Sequence, residues 1–166
     1  MKRYYLTWVP AILIMVIIFS FSAKPAVKSA ESSMTIAEVI MGIYEDIIDE
    51  KLENDIRTEL MYKIDHYIRK SAHFIEYAIL AAAIALPLWI RRHRGRRLWL
   101  VSMLGAALYA ATDEFHQSFV PGRSCELKDV MIDTAGAALG AVLFILAMKL
   151  FCHKKIKDTI IIEASE

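Results

Sequence analysis

Cysteine is close to absent. The chain has two among 166 residues, Cys125 and Cys152, too few for a disulfide framework. They fall at opposite ends of one apolar run, so they are not expected to pair. Glycine and proline are sparse, at six and four, and no nucleotide-binding glycine loop is present. The chain has no internal repeat, no low-complexity segment and no compact metal signature such as H-E-x-x-H. The most informative absence is of charge, which is missing from several long runs. Those runs are apolar. The chain is 57% hydrophobic, against roughly half in an ordinary soluble domain, and its mean hydropathy is +0.39. Runs of about 20 such residues are long enough to cross a bilayer. The net charge of +1 says little, because the charges are segregated along the chain. Together these features predict an all-α, polytopic membrane helical bundle of four transmembrane helices with an amphipathic outer segment.

In chain order, residues 1–3 are basic and residues 4–23 form the first apolar run. Its length and Trp8 near its start favour an uncleaved, anchored helix over a signal peptide, although SFSA loosely resembles a cleavage site. Residues 24–70 are polar. Ile36, Val39, Ile40, Ile43, Ile47 and Ile48, then Leu60, Met61, Ile64 and Ile68, recur at helical spacing. This predicts two amphipathic helices on or near the outer face, as a cover or a lid. Residues 71–90 are a second span, and residues 91–97, RRHRGRR, carry five arginines in seven positions. A short basic loop between spans belongs in the cytoplasm. Topology explains that cluster, so no nucleic-acid partner is expected. Residues 98–117 are a third span, 118–128 an outer loop turning at Pro121-Gly122, and 129–151 a fourth span. The tail, 152–166, opens on HKKIK. A multi-pass plasma-membrane protein with both termini in the cytoplasm places every basic cluster on one side.

That topology brings ionisable residues from three spans to one depth, where such groups are costly and mark a site. Lys70, His73 and Tyr77 share a helix face, with Glu76 beside them. Tyr109, Asp113, His116 and Gln117 share a second, with Glu114 adjacent. Asp129, Asp133, Gly136 and Gly140 share a third. The glycines predict close helix packing, expected between the third and fourth spans. Three chemistries fit the set. A salt-bridge network could hold the bundle, although buried pairs add little net stability. His73, Glu76, Asp113, His116 and Asp133 are candidate ligands for a divalent metal such as zinc or manganese. Alternatively, Arg123 and Lys70, with Gln117 and Tyr77, would bind an anionic group. Asp113, Glu114 and His116 would then carry acid–base chemistry, with His73, Glu76, Asp129 and Asp133 completing the pocket. The partner is then a membrane lipid or a lipid-linked wall precursor. A non-catalytic interaction protein and a small transporter are the competing classes. The transporter is disfavoured because the charges gather at one end of apolar spans.

The same residues carry a resemblance. KSAHFIEYAIL (70–80) and YAATDEFHQSFVPGRSCELKDVMIDTAGAALG (109–140) resemble the VanZ-like family of bacterial membrane proteins. Its pattern of K-x-x-H-F-x-E-Y, D-E-x-H-Q-x-F-x-x-G-R and D-x-x-x-D-x-x-G falls here on Lys70, His73, Phe74, Glu76 and Tyr77. It continues on Asp113, Glu114, His116, Gln117, Phe119, Gly122 and Arg123, and ends on Asp129, Asp133 and Gly136. The resemblance covers residues 68–150, about half the chain, and residues 22–69 match nothing in it. It implies a small helical membrane protein typical of Gram-positive bacteria, whose family namesake lowers sensitivity to teicoplanin. It adds the outer leaflet, where teicoplanin and lipid-linked precursors meet, as the place of action.

Overall fold

In the computed structural model the described residues form helices joined by short turns and loops, with no strand among them. The backbone is described for residues 2–49 and 51–163, and side chains for residues 4–49 and 51–153. The side chains of the basic clusters at Lys2-Arg3 and Lys154-Lys155-Lys157, and the last three residues of the tail, lie outside that description.

A 3-10 turn at Lys2–Trp8 leads into α1, Val9–Ser22. Pro10 sits in the first turn of α1, where its missing N–H removes no helical bond. A short turn ends at Pro25, which opens α2, Ala26–Ile48. Asp49 stops α2 in the left-handed conformation (φ 52°), one that Asp tolerates better than most residues. The chain then enters α3, Asn54–Ile90, α4, Gly95–Gln117, and α5, Leu127–Glu163.

Two expected boundaries are not marked by a break in the helix. The division between an outer helix and a second span at residue 70 falls inside α3, which runs unbroken for 37 residues, about 55 Å. Arg69, Lys70, Ser71 and Ala72 change the polarity of the chain, but none of them breaks a helix. The expected tail after residue 151 likewise begins inside α5. Three helical segments are long and apolar enough to cross a membrane: Tyr4–Ser22, Asn54–Ile90 and Leu127–His153. α4 is not among them, since Arg96 and Arg97 open it and Asp113 and Glu114 sit near its end.

α3 is the central helix, packing on α5, α4, α2 and α1. The core is built from Tyr77, Leu80, Ala81 and Ala85 of α3, Leu98, Ala106 and Ala110 of α4, and Ala137 and Ala141 of α5. A Cβ added at Gly136 would lie 2.1 Å from the Phe74 carbonyl oxygen, and one at Gly140 would lie 2.0 Å from that of Ala78. Only glycine admits so close an approach. This corrects the expected partner of the glycine face: α3 occupies it. α4 does pack on α5, partly through Trp99, whose Nε1 donates to the Ala138 carbonyl at 3.1 Å. Outward-facing side chains on α1 and α5 are apolar, among them Ile12, Leu13, Val16, Val142, Leu143 and Leu146. An exposed surface of this kind suits lipid and not water.

α2 runs antiparallel to the first half of α3. Ser33, Ala37 and Met41, four residues apart, form its buried seam against Met61 and Asp65. Ser33 donates to the buried Asp65 carboxylate, which also pairs with Arg69 at 2.7 Å. Arg57 pairs with Glu45 at 3.3 Å farther along the hairpin. The isoleucine stripe read from the sequence faces elsewhere: Ile36, Val39, Ile40, Ile43 and Ile47 are exposed.

Candidate functional site

The polar residues gather at one end of the bundle because successive helices run in opposite directions. The end of α1, the stretch of α3 around residues 69–77, the end of α4 and the start of α5 all meet there. The arginine-rich turn lies at the other end, where Tyr4 and Tyr5 come beside Ile90, Arg91 and Arg92.

One half of the cluster is a connected hydrogen-bond network. The buried Ser22 hydroxyl donates to Asp113 Oδ2 at 2.7 Å, and Gln117 Nε2 donates to the same oxygen at 3.1 Å. Arg123 Nη1 donates to Gln117 Oε1 at 3.1 Å, its Nε to the Lys24 carbonyl at 3.1 Å and its Nη2 to the Phe21 carbonyl at 3.4 Å. These bonds reach the Phe21 carbonyl in the last turn of α1, which also accepts the Lys24 N–H at 3.1 Å, and the Lys24 carbonyl just beyond it, and they fasten the end of α1 to α4 and the loop that follows α4. Burial lowers the Arg123 pKa from its usual value and the Asp113 charge opposes the shift; a guanidinium stays charged regardless. Glu114 does similar work for α5, accepting the Glu126 backbone N–H at 2.7 Å. The loop is also tied to α2, through the Ala26 N–H donating to the Pro121 carbonyl at 3.2 Å. Gly122 there has φ 77°, and a Cβ on it would stand 3.1 Å from that of Ala26.

The other half is open. Lys70 pairs with Asp129. His73 Nδ1 lies 3.9 Å from Asp133 Oδ1, beyond hydrogen-bond distance, and both atoms are buried without a partner. The Tyr77 hydroxyl, Asp113 Oδ1 and His116 Nε2 share that condition. Asp133 is 2% exposed and Tyr77 0%, so these are groups whose partners bulk solvent does not supply. Buried polar atoms are nearly always satisfied, and exceptions call for a functional reason or a ligand.

Two cavities flank this half. The first, about 360 Å³, lies between the end of α1, the start of α2 and α3. Lys24, Arg69, Arg123, His73, Glu76, Ser22, Ser29, Ser32 and Ser33 give it a polar wall; Phe21, Ile36, Ile68 and Ala72 give it an apolar one. The second, about 230 Å³, is the more polar, with His66, Arg69, Lys70, His73, Gln117, Arg123, Ser124, Glu126 and Asp129 around Ala26 and Gly122. Arg69, His73 and Arg123 line both.

The expected site residues are therefore brought to one end of the bundle but divided. His73, Glu76, Lys70, Arg123, Gln117 and Asp129 line a cavity. Asp113, Glu114, Tyr77 and Asp133 are buried behind them, and His116 stacks on Phe19 with ring centroids 4.7 Å apart. Among the described residues no three His, Cys, Asp or Glu side chains are grouped to hold a metal ion. His73, Glu76, Asp113, His116 and Asp133 are thus not assembled as a ligand set. Ser22, Lys24, Ser33, Asp65 and Arg69 are additions that the sequence reading lacked. Asp65 and Arg69 were visible as an i,i+4 pair, and Ser33 with Ala37 as small residues at the same spacing. Ser22 had no signal beyond its place at the end of an apolar run.

Fold and site together define a helical membrane protein with a polar pocket at one end of its bundle. The chain matches the VanZ/LLP1 family model over residues 7–148, and it belongs to the VanZ-like family. The match takes in residues 22–69, which the motif resemblance did not reach, so the α2–α3 hairpin is part of the family's domain. Comparison with curated proteins gave no match, and comparison with solved structures gave none.

Proposed function

We propose that the larger cavity binds the anionic headgroup of a membrane lipid or lipid-linked cell-wall precursor at the outer leaflet of a bacterial plasma membrane. The observation that carries this is the composition of its walls. Three cations, Lys24, Arg69 and Arg123, face a space of about 360 Å³ that also has an apolar side, which is within the usual range for a small-molecule site. Arg123 has two N–H donors beyond its three existing bonds, and Arg69 more, so both can grip a phosphate. Lys70, engaged by Asp129, supports the wall. His73 and Glu76 stand where they would exchange a proton with a bound group, with Asp133 behind His73.

The proposal includes four spans, α4 among them, with both termini in the cytoplasm. The arginine run at residues 91–97 favours this orientation, and the short connections flanking α4 favour its return through the same layer as α3 and α5. The α2 hairpin then covers the site from outside. Lowered sensitivity to teicoplanin is the proposed consequence of holding such a lipid. The test is binding of phosphatidylglycerol, against phosphatidylcholine, by the purified protein. Selective binding that Arg123→Gln or Arg69→Gln weakens several-fold supports the reading, and equal binding of the two lipids defeats it.

A second reading rests on the exposed apolar stripe of α2, Ile36, Val39, Ile40, Ile43 and Ile47. Such a surface serves a non-catalytic interaction protein of the envelope. It expects Ile40→Ser with Ile43→Ser to abolish protection from teicoplanin while lipid binding persists.

A further inference from the structure

The two cavities share three lining side chains, Arg69, His73 and Arg123, and their chemistry differs on the two sides of that shared wall. The larger one has Phe21, Ile36 and Ile68 on its wall, and Phe21 and Ile36 are about half exposed, at 49% and 51%. An alkyl chain can leave along them. The smaller one is the more polar of the two, lined by charged and polar side chains apart from Ala26 and Gly122. Its wall mixes donors and acceptors: His66, Ser124 and Glu126 line it alone, and Ser124 donates to Glu126 at 3.0 Å. At about 230 Å³ it falls below the usual volume of an independent ligand site, about 300 Å³ or more, so it is better understood as one compartment of a larger site. Both arginines retain unused N–H donors at the shared wall, which is where a phosphate or diphosphate belongs.

We infer that the two cavities form one bipartite site for a lipid with an extended headgroup. The phosphate lies at the shared Arg69–Arg123 wall, the alkyl chain leaves past Phe21 and Ile36, and a polyhydroxylated group such as a sugar fills the smaller cavity. His66, Ser124 and Glu126 hydrogen-bond that group and discriminate for it. This inference rests on the anionic-headgroup reading and names its ligand class more narrowly. A site built for polar groups rejects a ligand lacking them, because its own donors and acceptors then lose their partners.

The experiment measures binding of three probes to the purified protein in phosphatidylcholine nanodiscs. The probes are phosphatidylglycerol, a polyprenyl diphosphate, and the same diphosphate carrying one N-acetylhexosamine. The native chain is expected to bind the sugar-bearing probe about tenfold more tightly than the bare diphosphate, the worth of one or two net hydrogen bonds. His66→Ala with Ser124→Ala should erase that difference and leave the bare diphosphate unchanged. Equal binding of the two diphosphates by the native chain, or a difference that survives the double substitution, overturns the bipartite site while the headgroup reading stands. If none of the three binds above the phosphatidylcholine background, both readings fall.

Discussion

The two halves of the polar cluster are built from the same residue types and stand side by side, yet they are wired differently. Around Asp113 and Arg123, a serine, a glutamine and two backbone carbonyls are joined by hydrogen bonds that leave only Asp113 Oδ1 without a partner. Around His73 and Asp133, charged and polar atoms are buried with no partner, 3.9 Å apart at the closest pair. A satisfied buried network fixes geometry, whereas an unsatisfied one stores a cost that a ligand or proton relieves. The contrast assigns the first half to holding α1, α4 and the loop in place, and the second to whatever enters the cavities.

Substitutions can break or sharpen this contrast. The largest effect is expected where both halves depend on one contact. Gly140→Leu would drive a side chain into the Ala78 carbonyl, separating α5 from α3 and displacing Asp133 together with His73. Overpacking of that kind costs about 1–3 kcal/mol or more, and loss of a monodisperse species in size-exclusion chromatography is the expected result. A wild-type elution profile would mean the helices are not held at this distance.

Arg123→Ala comes next. It strips donors from Gln117, from the Phe21 carbonyl of α1 and from the Lys24 carbonyl just after it, each worth about 1 kcal/mol net and more when the acceptor is left buried. Thermal unfolding should show a fall of several degrees, which Arg123→Lys restores only in part because ammonium lacks the forked geometry. Ser33→Ala should cost less, about 1 kcal/mol, and should act locally. Faster amide exchange in α2 with little change in the bundle would be its signature.

His73→Asn tests the open half. It breaks no hydrogen bond, so the unfolding temperature should hardly move while binding of anionic lipid falls several-fold. A large stability loss with binding intact would erase the distinction between the halves. Lys63→Ala, which removes an exposed pair with Glu59, should change neither measurement, since such pairs contribute almost nothing.

Much of this was legible in the chain. The helical class, the apolar runs and the family motifs lie in composition and spacing, which are one-dimensional properties. The gathering of Lys70, His73, Asp113, Arg123 and Asp133 at one end followed from their positions at alternate ends of successive runs. Helix limits were less legible. The α2–α3 hairpin and the unbroken α3 depend on where backbone geometry changes, and polarity changes at residue 70 without any such break. Ser22 was invisible because a serine at the end of an apolar run is locally unremarkable; its partner lies 91 positions away.

By itself, then, the sequence determined that this protein is a helical membrane bundle with its acidic and histidine-bearing motifs at one end and its arginine-rich turn at the other. Those features lie in the lengths of the apolar runs and in the spacing of the charges between them. Only the tertiary structure decided which charges are spent on the framework and which face a cavity. That choice depends on how each helix is rotated about its axis. Glycines at 136 and 140 turned α5 toward α3 instead of α4, and the close backbone contact they permit set Asp133 behind His73, leaving Asp113 to Ser22 and Gln117.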